Sequence, residues 1–169
     1  MDVGNLARMT FKAGEEYAIK LSKLATGQEE IAKKAIYAAA GIVADRIKAN
    51  LNALPEEKFR YLRDGEKFVG VPERQKKDLI DSFGITPITT DNKGNWNAKI
   101  GFDGYGSIPT KKYPNGLPNQ LLARAIESGS SVRQKKPFVR LAVNATKKKA
   151  QAEMEKIIDK ETEKIMGGK

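Results

Sequence analysis

A long apolar repeat between Thr26 and Leu51 most constrains how this chain can fold. Its apolar residues recur at intervals close to three or four, which predicts a long helix with one buried face. Thr26 and Glu29 match a capping-box pattern, so we expect the helix to begin there, after a separate short helix over 13–25. Several positions are small, which allows a neighbouring element to approach closely. These are Ala35, Ala38, Ala39, Gly41 and Ala44.

A β-hairpin is predicted over residues 85–102. Trp96, Ala98, Ile100 and Phe102 alternate with polar or small residues, and this period of two places them on one face of a strand. Residues 91–95, Asp-Asn-Lys-Gly-Asn, have turn chemistry, and the stretch before them is rich in β-forming residues.

Three further helices are predicted, over 72–83, over 120–127, and from Pro137 to about Met166. Between residues 56 and 71, five apolar side chains are expected to be buried, namely Phe59, Tyr61, Leu62, Phe68 and Val69. The length of 169 residues fits a single domain over 1–169. Residues 1–12 are expected to be weakly ordered, and 103–119 and 128–136 to be long flexible loops.

The positive charge is concentrated in one quarter of the chain. The net charge is +10, and residues 107–149 hold 10 Lys/Arg but only one acid, Glu127. Such a segment attracts polyanions or an acidic protein surface. The candidate contact residues for a partner or for DNA lie on its two connectors and are Lys111, Lys112, Tyr113, Arg133, Lys135 and Lys136.

The composition removes several kinds of chemistry. The chain has no cysteine and no histidine, so disulfides, thiol catalysis and the common zinc sites are excluded. Gly101–Gly106 is glycine-rich but lacks the spacing and the following helix of a phosphate-binding loop. No set of residues can be assigned catalytic roles, so we predict no enzyme activity, no cofactor and no metal. No apolar run is long enough to span a bilayer, and no signal-peptide pattern is present.

The order of several short segments resembles a known family. The segments are Ala35–Asp45, Lys77–Phe83, Lys99–Phe102, Leu122–Ser130 and Lys136–Val143. In this order they resemble the small head–tail joining proteins of long-tailed phages, also called tail-completion, neck or minor tail proteins and gene-product-ten-like proteins. The last two segments are similar to a Glu-x-Gly-Thr stretch, a variable basic loop and a Pro-Phe-Leu-Arg helix start. Leu141 stands where the family usually has proline.

The resemblance implies an α+β fold, in which a small antiparallel sheet, the 85–102 hairpin plus further short strands, is packed by the Ala-rich helix and a long C-terminal helix. It implies a non-catalytic virion protein of the neck or tail, assembled in the bacterial cytoplasm. We expect its partners to be further copies of itself in a ring, a hexamer, together with the phage connector or adaptor and the tail tube or tail terminator proteins. Non-specific contact with packaged DNA is expected, and contact with a membrane is not.

A second hypothesis explains the basic segment without a ring. The chain would then be a cytosolic nucleic-acid-binding protein that uses residues 107–149, although no known nucleic-acid-binding motif accompanies them. Tight DNA binding by the isolated chain, with a steep dependence on salt, would distinguish this hypothesis from a joining role.

Overall fold

The fold is α+β, as predicted, with two long helices, two short ones and several very short strands. The computed structural model describes residues 15–167, with side chains described from residue 22 onward, so the predicted weak order of residues 1–12 lies outside the described residues. The helices are α1 Glu15–Asn52, α2 Glu73–Ser82, α3 Asn119–Ser128 and α4 Val139–Gly167. The strands are β1 Glu56–Glu57, β2 Val71–Pro72, β3 Phe83–Ile85, β4 Thr89–Thr90, β5 Trp96–Asn97 and β6 Ile100–Phe102.

The chain divides into two compact units. Of the described residues, the first unit comprises 15–40, 87–98 and 148–167. The second unit comprises Gly41–Thr86 and Lys99–Lys147. The prediction that residues 1–169 form a single domain stays a prediction.

In the first unit, α1 runs without interruption through the expected helix boundary. The predicted break at Thr26 is wrong, because the Thr26 hydroxyl donates to the Ser22 carbonyl at 2.7 Å and does not cap a new helix. At Gly27 a Cβ atom would lie 3.3 Å from the Ile165 side chain of α4, so the absent side chain leaves room for α4 to pack closely. Tertiary packing therefore overrides the local preference for a cap.

An ion pair also joins α1 to α4 in this unit. The Lys34 ammonium lies 3.0 Å from the Glu161 carboxylate, which also pairs with Lys164 at 2.7 Å. Hydrogen bonds from Lys164 and Lys34 lower the pKa of Glu161 to about 2. The buried Ala35 and Ala39 lie on the same helix, in the small-residue stretch of the sequence.

The predicted hairpin is present as two antiparallel ladders. In the second unit, β3 pairs with β6, and Gly84 lies opposite Gly101. In the first unit, β4 pairs with β5, and Thr90 lies opposite Trp96. Pro87 lies between β3 and β4 and has no N–H to donate to a ladder. At the turn, the amides of Lys93 and Asn95 donate to the Asp91 carboxylate at 2.8 and 2.9 Å.

The hydrophobic core of the second unit gathers side chains from distant parts of the sequence. Its fully buried members include Leu51, Val71, Leu79, Leu122, Ile126 and Phe138. The Phe138 ring, just before α4, meets the ring of Phe102 of β6 edge-on, with centroids 6.0 Å apart. The prediction of helices over 72–83 and 120–127 is confirmed by α2 and α3.

A buried lysine of α2 closes the C-terminal end of α1. Lys76 is 6% exposed, and its ammonium donates to the carbonyls of Asn52 and Leu54 at 2.8 and 2.9 Å. The Glu56 carboxylate lies 2.9 Å from the same ammonium. The last carbonyls of a helix have no partner within the helix, and a cation is favourable at that end. Lys76 therefore holds α2 against the end of α1.

Replacing Lys76 by methionine is expected to lower the free energy of unfolding by about 2–3 kcal/mol, because two part-buried carbonyls would lose a charged donor. Urea denaturation followed by circular dichroism measures the change. Lys77→Met is the matched control, since the Lys77 side chain is 73% exposed and pairs with Asp81 of its own helix. A loss no larger than that of the control would contradict the capping role.

Candidate functional site

The first predicted flexible loop, over 103–119, is closed at its base by Gly106 and Gly116. The Gly106 amide donates to the Leu117 carbonyl at 2.8 Å, and the Asn119 amide donates to the Gly104 carbonyl at 3.0 Å. Gly116 has a φ of +92°, and a Cβ atom there would lie 1.9 Å from the Gly106 oxygen. Only glycine fits this position. Residues 107–115, which we name the basic loop, are mostly exposed beyond this base.

An aspartate of α2 anchors the basic loop. The Ser107 amide and hydroxyl both donate to the Asp78 carboxylate, at 2.8 and 3.0 Å. Further along, Thr110 and Tyr113 exchange backbone hydrogen bonds of 2.9 and 3.1 Å and form a tight turn. The loop therefore has a defined backbone path, and its predicted flexibility stays a prediction.

Two lysines occupy the turn of the basic loop. Lys111 and Lys112 are exposed, whereas Tyr113 is half-buried. The Lys112 ammonium lies 5.5 Å from the centroid of the Tyr113 ring, a cation–π contact. Neither lysine forms an ion pair with another residue of the described range. Both charges are available to an external anion.

Glu127 fixes the two ends of the second predicted loop, 128–136. Because α3 includes Ser128, the loop begins one residue later, and we name residues 129–136 the connector. From the last turn of α3, the Glu127 carboxylate accepts from the amides of Phe138 and Val139 at 2.7 and 2.9 Å, and from that of Arg140 at 3.1 Å. These amides at the start of α4 have no acceptor within the helix, and the positive end of the helix favours an anion. One carboxylate therefore joins α3 to α4.

Arg133 differs from the other candidate cations because it is buried. It is 7% exposed, its guanidinium donates to the Gln75 side chain, and it lies 5.2 Å from the centroid of the Phe68 ring. Burial lowers the pKa of Arg133, and the Glu57 carboxylate opposes this shift. The backbone beside it is also bonded, since the Phe68 amide donates to Val132 at 2.9 Å.

The six candidate residues are therefore not equivalent. Lys111, Lys112 and Lys135 are exposed, Lys136 and Tyr113 are half-buried, and Arg133 holds the connector to the rest of the second unit. All six lie in the second unit, which has 18 Lys/Arg and 10 Asp/Glu and so a net charge of +8.

Sequence reasoning missed one group of surface residues, in the segment between β1 and β2. Tyr61 is 94% exposed, and Phe59 and Val69 are 47% and 48% exposed, so the prediction that they are buried is wrong. Phe68 is buried as predicted. The alternation of cations and rings in Lys58-Phe59-Arg60-Tyr61 is a signal that could have indicated a surface segment, because regularly spaced cations resist burial.

Comparison with known proteins finds no matching family model, curated protein or solved structure. None of the helices within residues 15–167 combines the length and apolar character that crossing a bilayer requires. In the same range no group of three acidic side chains is placed to bind a metal ion.

Gly116→Ala is expected to destabilise the base of the basic loop by about 1–3 kcal/mol more than Gly65→Ala. Both glycines have a positive φ, but a Cβ atom at Gly65 meets nothing within 4 Å, so the control carries the backbone cost alone. Hydrogen exchange of the Gly106 amide measures the local change. Equal exchange in the two variants would show that the close approach to Gly106 has no effect.

Glu127→Ala is expected to reduce the free energy of unfolding by about 2–3 kcal/mol, because three amides lose a charged acceptor. Glu127→Gln should fall between this variant and the parent, since an amide oxygen still accepts. Urea denaturation measures both, with Glu155→Ala as control, because the exposed Glu155 carboxylate accepts from the Gln151 side chain of its own helix. A loss equal to that of the control would refute the cap.

Proposed function

We propose that this chain is a structural virion protein of the neck or tail of a long-tailed phage. As one subunit of a ring, it joins the phage's head connector, which is a separate protein, to the tail tube. The observation that carries the proposal is the pair of basic segments with closed bases. The basic loop and the connector are each fixed at both ends, by Gly106 and Gly116 and by Glu127, and they carry exposed lysines.

The geometry of the two basic segments supports a role in binding other proteins or DNA, without covalent chemistry. An exposed lysine adds little binding energy alone, but a ring repeats each contact in every subunit, and avidity then multiplies weak contacts. Loops whose bases are already closed lose less conformational entropy when they meet a partner. A partner with an acidic surface, or DNA in the lumen of the ring, would pair electrostatically with four lysines of these segments. These are Lys111, Lys112, Lys135 and Lys136.

Two residues in the segments that resemble joining proteins have structural roles in this fold. The most characteristic part of the resemblance pairs Glu127 and Gly129 with Pro137 and Phe138 around a variable basic loop. Glu127 caps α4, and Phe138 is 1% exposed in the core. Residues of the resembling segments thus hold both ends of the connector, while Lys135 between them is exposed. This supports the proposal that the connector is the part that recognises a neighbour.

A phage deletion mutant tests the proposal by complementation. Replacing Lys111, Lys112, Lys135 and Lys136 together by glutamine should give few infectious particles and leave separate heads and tails in electron micrographs. The matched control replaces four exposed lysines of α4 by glutamine, which lowers the net charge by the same amount. These are Lys147, Lys148, Lys149 and Lys160. Arg133 is kept, because its loss would disturb the fold. A normal yield of tailed particles from the loop variant would refute the proposal.

A binding assay separates this role from the cytosolic alternative. The net charge of +8 in the second unit favours some attraction to any polyanion. As a joining protein, the purified chain should bind duplex DNA only weakly at physiological salt. Tight binding with a steep salt dependence would favour a nucleic-acid-binding protein that acts through residues 107–149.

A further inference from the structure

The segment between β1 and β2 presents aromatic rings and cations in alternation. We name residues 58–67 the aromatic loop; it begins Lys58-Phe59-Arg60-Tyr61-Leu62-Arg63. Tyr61 is 94% exposed and Phe59 is 47% exposed. Exposed rings of this size lose favourable burial energy, so a pair of them on one loop indicates a surface that meets a ligand.

The aromatic loop is held in shape by Glu66, one of its two acids. The Glu66 carboxylate lies 2.6 Å from the Arg60 guanidinium and accepts from the Arg63 amide at 3.0 Å. The hydrogen bond from the Arg63 amide, followed by that from Arg60, lowers the pKa of Glu66. Gly65, with a φ of +79°, completes the turn. Glu66 is therefore used inside the loop. The second acid of the loop, Asp64, is exposed, and with four cations and two acids the loop keeps a net charge of +2.

The rings are arranged in a short series. Phe59 stacks on the buried Phe68, with centroids 5.9 Å apart and planes at 26°, and Tyr61 meets Phe59 edge-on at 6.1 Å. The guanidinium groups of Arg60 and Arg133 lie 5.7 and 5.2 Å from the centroid of Phe68. Phe59 is thereby fixed in place, while almost all of the Tyr61 ring is open to a planar ligand.

The cations that accompany the rings are available to phosphates. Lys58, Arg63 and Lys67 are exposed, and none of them forms a side-chain ion pair within residues 22–167. The connector lies beside the loop, since the Gln134 amide donates to the Phe68 carbonyl at 2.9 Å, and it adds the exposed Lys135.

We propose that the aromatic loop binds single-stranded nucleic acid. Tyr61 and the exposed part of Phe59 stack on successive bases, and Lys58, Arg63 and Lys67 contact the phosphates between them. Alternating rings and cations suit a strand whose bases and phosphates also alternate. A duplex hides the faces of its bases from such rings. Cores of protein interfaces also favour aromatic and arginine side chains, but they are depleted of lysine, so Lys58 and Lys67 are better matched to phosphates. The inference goes beyond the joining role and does not require it.

Fluorescence anisotropy with a labelled oligodeoxythymidine tests this inference on the full chain at low salt. Tyr61→Ala should weaken binding by about fivefold or more, because base–aromatic stacking is lost. Tyr61→Phe should bind like the parent, since the stacking face remains. The matched control is Tyr105→Ala, another exposed tyrosine of the second unit, at 66% exposure. Circular dichroism checks that each variant keeps the fold, which is expected for so exposed a side chain.

Three outcomes would overturn the inference. One is the absence of oligonucleotide binding by the parent chain, and another is equal binding by the parent and Tyr61→Ala. The third is that binding of an oligoglutamate peptide depends on Tyr61 while binding of the oligonucleotide does not. That result would assign the loop to an acidic protein partner. The joining role is tested by virion assembly with the lysine variants, all of which retain Tyr61. Oligonucleotide binding tests the aromatic loop, so the two proposals can fail independently.

Discussion

The carboxylate of Glu127 is the interaction on which the second unit most depends. It occupies the N-terminal end of α4, where three amides would otherwise lack acceptors, and it comes from the last turn of α3. The same contact places Phe138 in the core against Phe102. This contact fixes the ends of the connector, the buried Arg133 holds its middle against Gln75, and Lys135 remains basic and exposed.

The cations of the second unit divide into two classes that the composition does not distinguish. Lys76 and Arg133 are buried and bonded, one to carbonyls at the end of α1 and the other to Gln75 and the Phe68 ring. Burial of a charge is costly unless hydrogen bonds or an aromatic face compensate it, so these two residues stabilise the fold only through their partners. The exposed lysines of the basic loop and the connector have no such role and remain available to a ligand.

The second unit therefore offers two different surfaces to its surroundings. The basic loop presents charge on a turn anchored by Asp78, which suits a repeated, weak contact in an assembly. The aromatic loop combines charge with open rings, and this combination suits a ligand that has both phosphates and planar groups. The connector belongs to both surfaces, because it carries lysines at its end and its backbone is hydrogen-bonded to that of Phe68.

The sequence alone determined the elements whose signals are local. The period of two before Phe102 and the turn at Asp91 were sufficient to predict the hairpin, and α2, α3 and α4 followed from apolar spacing and flanking prolines. Tertiary structure decided whether α1 continues past Thr26, because that depends on how closely α4 packs at Gly27. It also decided that Arg133 is buried and Tyr61 exposed. The burial of a side chain depends on partners such as Gln75 and Phe68, far away in the chain, and no local pattern contains that information.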